Sequence, residues 1–267
     1  MSDIHSPRHY FLQVVLPAFE EFGETLLDGI VGNRRDLIAA GRAAEACLHL
    51  ADHLASDPAY NKDIQGAPKS KEYIKFLAEK YRHFSIAKDI ANSFKHRKLS
   101  DQQRRIDGIE SILERWALIR FTDAAGHYWA TRKVVIVRLK GGVEIFAEDV
   151  IERCIAEWVQ ELLRLGVISS QPHIQLVLKR FLARADVPSK PCIEMRAERG
   201  EYFESQPVIL SYDKDRDMFQ PMQDKIGRVD IDVKMIVSPS RFSPSETATV
   251  NQFTVAAKDT AGSDSSS

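Results

Sequence analysis

The hydrophobic period of this chain changes once, shortly after residue 121, and that change limits the folds open to it. Before it, apolar residues recur three and four apart, the repeat of one helix face. After it come short runs rich in Val and Ile, the habit of strands. The pattern predicts an α+β protein. It has an N-terminal helical bundle, an appended β-hairpin and helix, then a small β-rich C-terminal part. At 267 residues and 44% apolar composition the chain can bury a sizeable core.

Helices over 8–27, 36–55, 69–83, 84–96 and 101–119 are expected to fill residues 1–121. Pro17 should bend the first of them or mark two shorter helices. Leu37, Ala40, Ala44, Cys47, Leu48, Ala51 and Leu54 give the second its buried side, and Ile106, Ile109, Leu113 and Trp116 do so for the last. In residues 122–186, the run from Lys133 to Leu139, the Lys140-Gly141-Gly142 turn and the return from Val143 to Phe146 read as a hairpin. Glu148 and Asp149 open a helix that buries Val150, Cys154, Trp158 and Leu162 and stops at Gly166. A short helix over 172–185 follows. Residues 187–238 carry strands near 192–196, 207–212 and 229–237, with a charged turn from Asp213 to Asp217. Residues 239–267, rich in Ser, Thr, Pro and Ala, read as a disordered tail.

The 37 basic residues are matched by 38 acids, a net charge of −1, which argues against wholesale coating of nucleic acid or anionic membrane. Cys47, Cys154 and Cys192 form no CxxC pair and no zinc spacing, so they read as reduced core thiols of a cytoplasmic protein. The N-terminus lacks a charged-then-apolar signal pattern, and no apolar run is long enough to span a bilayer. No phosphate loop, dinucleotide fingerprint, HExxH or calcium loop occurs, so neither cofactor nor metal is expected.

The helix over 84–96 has two faces. Phe84, Ala87, Ile90, Ala91 and Phe94 make an apolar stripe, while Asp89, Asn92 and His96 stack three and four apart. At about 100° per residue that polar line lies almost opposite the stripe. A solvated face is the ordinary meaning of such a line. Three features point to chemistry instead. Asn in mid-helix has a cost. His96 titrates near neutrality and can move a proton. Lys95, Arg97 and Lys98 form a basic cluster suited to a phosphate.

The run Asp89-x-x-Asn92-x-x-Lys95-His96, late in a helical bundle, resembles the helical HEPN superfamily. It looks closer still to a group of uncharacterised bacterial and phage-type helical proteins with the same D-x-x-N-x-x-K-H run. In those a strand hairpin and a Trp-bearing helix follow, here Val134 to Phe146 and Val150 to Leu165 with Trp158. The resemblance covers residues 8–165. It implies an RNA-binding or metal-independent RNA-cleaving protein of a defence or toxin type, a homodimer through the motif helix. His96 would be the base, Asn92 and Asp89 would orient it or bind ribose and phosphate, and Lys95, Lys98 and Arg97 would hold the phosphate. The catalytic motif of that family sets four to six residues between an Arg and the His, and before His96 the matching region offers Asp89, Ile90, Ala91 and Asn92, with no Arg. The alternative is a non-catalytic dimerisation or protein-interaction module, in which Asp89 and His96 satisfy one another or cap neighbouring backbone.

A literal Arg-x6-His spacing occurs twice elsewhere, from Arg42 to His49 and from Arg120 to His127. Arg42, His49, Asp52 and His53 form a second polar face. His49 and His53 could ligate a metal with Asp52 or Asp89, although a solvated face is favoured. His127, Tyr128 and Trp129 could stack a base or cap the core, and the core is favoured. Lys133, Arg138 and Lys140 would add a basic patch beside the hairpin. Glu144, Glu148 and Asp149 read as helix-start acids rather than a metal cluster.

Overall fold

The computed structural model describes residues 6–32, 34–60, 64, 69–95, 104–169, 180–198, 207–222, 229–238 and 253–255. Along the chain the elements are α1 (Pro7–Tyr10), a π-turn (Phe11–Val15), α2 (Leu16–Thr25), β1 (Ile30–Val31), α3 (Arg35–Ser56), α4 (Ser70–Lys80) and α5 (Arg82–Lys95). Then come β2 (Ile112–Asp123), β3 (Gly126–Arg138), β4 (Glu144–Phe146), α6 (Ala147–Arg164), β5 (Cys192–Glu198), β6 (Val208–Asp213), β7 (Met218–Pro221), β8 (Val229–Ser238) and β9 (Phe253–Val255). The class is α+β.

The chain forms two compact units. The first comprises Met1–Asp28, Asn33–Arg115 and Lys133–Lys179. Its helices bury Phe11, Phe19, Phe22, Leu50, Leu54, Ile90 and Trp158, among others, in one hydrophobic core. Pro17 does not break the first helix. It has no N–H to return to Gln13, and the preceding turn widens so that the Leu16 N–H reaches the Phe11 carbonyl, five residues back. Extended backbone at Tyr81 separates α4 from α5. The tip of β3 pairs antiparallel with β4, Ile136 opposite Phe146, across the expected Gly141-Gly142 turn, where φ is 93° and 85°. The Trp158 indole N–H donates to the Cys47 carbonyl at 3.0 Å and ties α6 to α3.

The second unit comprises Gly29–Gly32, Trp116–Arg132 and Arg180–Ser267. Here β2 pairs parallel with β6, Ala117 opposite Val208, and β6 pairs antiparallel with β7. Separately, β5 lies between β1 and β8, parallel to both. Val31, Trp116, Leu118, Ile193, Met195, Ile231 and Val233 form its core.

Two expectations are overturned. Of the helix expected over 101–119, residues 101–103 lie outside the described residues and the rest does not continue the helical bundle: Ile112–Asp123 is strand β2. The spacing of Ile106, Ile109, Leu113 and Trp116 fits a helix by coincidence. The deciding signal is the unbroken buried run Trp116, Ala117, Leu118, Ile119, which a strand covered on both faces requires. Of the short helix expected over 172–185, residues 170–179 lie outside the described residues, Arg180–Ala183 is non-helical, and only Arg184–Asp186 forms a single 3-10 turn. Most of the tail also lies outside the described residues, but Phe253–Val255 is strand β9, paired with Val229–Ile231.

Candidate functional site

Helix α5 buries Asp89, the first residue of its polar line. Eight of its 14 residues are buried: Phe84, Ser85, Ile86, Ala87, Asp89, Ile90, Ala91 and Ser93. Asp89 is 1% exposed, and its carboxylate accepts the backbone N–H of Arg105 at 2.7 Å. The segment holding Arg105 also buries Ile106 completely. The helix is covered on the side opposite its apolar stripe by a stretch of chain that its own periodicity does not announce. Asn92 is half-buried and Lys95 exposed. His96, Arg97 and Lys98 lie outside the described residues.

Lys95 links this helix to the second polar face. Its Nζ lies 2.8 Å from a Glu45 carboxylate oxygen and 3.2 Å from His49 Nε2. His49 itself stands 3.6 Å from the same Glu45 oxygen. The other members of that face are engaged separately. Arg42 lies 3.8 Å from Glu21, Asp52 accepts the Ser70 hydroxyl, and the His53 ring stacks on Tyr10 with centroids 4.0 Å apart. Among the described residues no three His, Cys, Asp or Glu side chains converge as a metal would require.

The basic patch expected beside the hairpin dissolves into pairs. Lys133 is fully buried, with its Nζ 2.9 Å from Asp28 and 3.8 Å from Asp36, which is also fully buried. Burial pushes the Asp36 carboxyl up, against the downward pull of Lys133. Arg138 donates to Glu144 at 2.8 Å and Lys140 lies 4.0 Å from Asp107. Cys47 and Cys154 are buried as expected, but Cys192 is exposed.

Sequence reasoning missed an acidic hub on α6. Glu161 is 1% exposed and accepts from Tyr73 at 2.9 Å, Lys80 at 3.1 Å, Tyr81 at 3.3 Å and Arg164 at 2.6 Å. Burial alone would raise this carboxyl. The hydrogen bonds from Arg164, Tyr73 and Lys80 outweigh it and hold the group at about 2. One turn earlier, Glu157 accepts the N–H groups of His83 at 3.3 Å and Phe84 at 2.9 Å, and lies 2.8 Å from His83 Nδ1. It caps the start of α5 from a neighbouring helix. The available signal was Glu161 itself, an acid on the same helical stripe as Trp158 and Leu162. Every oxygen of this hub is spent on the fold.

In the second unit, the triplet His127-Tyr128-Trp129 at the start of β3 divides its roles. Tyr128 is buried: it stacks on Phe121 with centroids 5.5 Å apart and donates to the Leu182 carbonyl at 2.7 Å. The Arg184 guanidinium sits over the Tyr128 ring, 4.5 Å from its centre. Asp123 grips it through two bonds, of 2.8 and 2.9 Å, which pulls the Asp123 carboxyl below its usual range. His127 is exposed and Trp129 half-buried. With Arg184, Pro188, Ser189 and Pro191 they line an open pocket of about 290 Å³. The sequence showed the aromatic triplet but not its partners, because 172–185 was read as helix.

No helix among the described residues is long and apolar enough to cross a membrane. No family model, no curated protein and no solved structure matches this chain.

Proposed function

We propose that the chain is a non-catalytic interaction module rather than an RNA-cleaving enzyme. One observation carries this reading: the Asp89 carboxylate is spent on the backbone N–H of Arg105 inside the core. A group that must orient a catalytic imidazole or hold a ribose needs access to substrate, and capping neighbouring backbone is the role a scaffold gives it. Two further observations support it. Lys95 is neutralised by Glu45, which weakens it as a phosphate ligand. Before His96 no Arg stands at the spacing the HEPN-like cleavage chemistry uses, and Lys lacks the planar fork that would replace it. For contact with a second copy, α5 offers Arg82, Phe94 and Lys95 as exposed residues and His83, Lys88 and Asn92 as half-buried ones among the described residues.

The test is incubation of the purified full chain and its His96→Ala variant with a labelled mixed RNA pool, without added metal. Both should leave the pool intact. Turnover by the wild-type chain that His96→Ala abolishes would restore the RNA-cleaving reading.

A further inference from the structure

We propose that the pocket between the start of β3 and the segment Arg184–Pro191 is a binding site for a nucleotide unit: one planar base with its attached phosphate. The proposal goes beyond the module reading above and does not depend on it, because it uses other residues and another readout.

The geometry is a stack with a missing rung. Phe121 and Tyr128 lie face to face, inclined by only 20°, and the Arg184 guanidinium lies over Tyr128. Arg184 is a flat group held in place: Nε and one Nη2 bond go to Asp123, and Nη2 also donates to the Gly126 carbonyl at 3.0 Å. Its side chain remains 42% exposed. The guanidinium carbon lies 4.5 Å from the centre of the Tyr128 ring, and Arg184 lines the pocket together with that ring. Guanidinium planes and aromatic rings are the surfaces on which unpaired bases stack. His127 and Trp129 provide two more rings in the same wall.

The polar atoms choose among possible occupants. Among the described residues, Arg184 Nη1, the Trp129 indole N–H and the Ser189 hydroxyl have no partner, and His127 uses only Nδ1, on Thr122 at 2.9 Å. A purely apolar ligand would leave these donors unsatisfied. A cationic ligand of the kind aromatic cages take would meet the Arg184 charge, and Asp123, the acid beside it, is already committed. An isolated inorganic anion would leave the ring surfaces unused in a pocket of about 290 Å³. A base offers a flat face and acceptor edges; Asp123 offsets the guanidinium charge much as Glu45 offsets that of Lys95, but Nη1, which neither Asp123 nor Gly126 takes, is left to donate to the phosphate. Such a unit can come from a free mononucleotide or from a single strand.

The experiment is a titration of the full-length chain, followed by intrinsic Trp fluorescence and by calorimetry. The probes are adenosine and uridine monophosphates, a short single-stranded oligouridylate and oligoadenylate, and inorganic phosphate as control. Saturable binding of a mononucleotide or a strand, with inorganic phosphate at least about tenfold weaker, is expected. A strand that binds more tightly than its mononucleotide names the strand as the source, and equal affinity names the free nucleotide. Arg184→Lys keeps the charge and removes the plane, and His127→Ala removes an exposed ring. Each should weaken binding by roughly tenfold, the value of one stacking contact, with an unchanged thermal midpoint. No binding of any nucleotide probe, phosphate binding as well as the nucleotides, or affinities untouched by both substitutions would overturn the proposal. An RNA pool bound here without being cut is compatible with the module reading, so the two tests fail separately.

Discussion

At the scale of single residues, the first unit is decided by charges that it buries. Glu161 is the clearest case, because its pKa lies below the ordinary carboxyl value of 4.5, at about 2. A depressed folded-state pKa contributes stability that is complete above the unfolded value and lost as pH falls through the folded one. The Glu161 hub should therefore supply about 3 kcal/mol at neutral pH, and this should fade between about pH 4.5 and about pH 2. Urea unfolding of the wild type and Glu161→Gln across that range should show a gap that closes with acid. A gap independent of pH would assign the loss to packing. Lys133 offers the opposite lesson, since Asp36 is fully buried beside it and burial raises that carboxyl. Lys133→Met leaves this acid without its cation and should cost about 3–5 kcal/mol, and adding Asp36→Asn should recover most of it. None of this was legible in the sequence. Lys133 opens a Val-rich strand and reads as a flanking cation, and only the coordinates bring it to Asp28 and Asp36, about a hundred residues away in the chain.

At the scale of elements, periodicity was a good guide where one face of an element is covered and a poor one where both are. Helix α3, with its Ala- and Leu-rich side, runs one residue beyond the expected span at each end, Arg35–Ser56 against 36–55. Helix α6 also matches, and the β3–β4 hairpin matches at its tip, although β3 begins at Gly126 rather than near Lys133. Strand β2 was misread because its buried run has no alternation to count. Helix α5 was found, but the fate of its polar line was not, because Arg105 and Ile106 cover it. The packing of α5 depends on two contacts that can be tested. Glu157 accepts two N–H groups of its first turn, from His83 and Phe84. Glu157→Ala should cost about 1–2 kcal/mol, the value of a lost helix cap, with circular dichroism showing earlier melting. Near its other end, a Cβ on Gly41 of α3 would fall 2.7–2.9 Å from ring carbons of Phe94. Gly41→Ala gains about 1 kcal/mol of helix propensity in isolation. Here the ring must swing outward, so the substitution should lower the thermal midpoint. Combining it with Phe94→Ala should return most of the loss, and a stabilised single variant would show that the two helices can separate at no cost.

At the scale of the whole molecule, the two units are not consecutive pieces of sequence. The period change near residue 121 suggests a helical bundle complete by that point, with the later hairpin and helix as additions. The first unit instead takes Lys133–Lys179 as part of itself, and its core includes Val135, Val137, Val150, Ile151, Ile155, Trp158 and Leu162, all of them buried. Local pattern shows which residues are apolar. It does not show that two stretches separated by a strand pair share one core, because that is set by long-range packing. The consequence is a strong expectation about fragments. Residues 1–121 alone would lose those seven side chains, each worth about 1.5–3 kcal/mol when buried. The sum exceeds the whole stability of a typical domain, about 5–15 kcal/mol, at most of its range. The fragment should bind a hydrophobic dye, melt without a cooperative transition and exchange its α3 amides rapidly, whereas the full chain should protect them. Cooperative unfolding of that fragment would mean that α6 decorates a core already closed by α2, α3 and α5, and that the period change does mark a domain boundary.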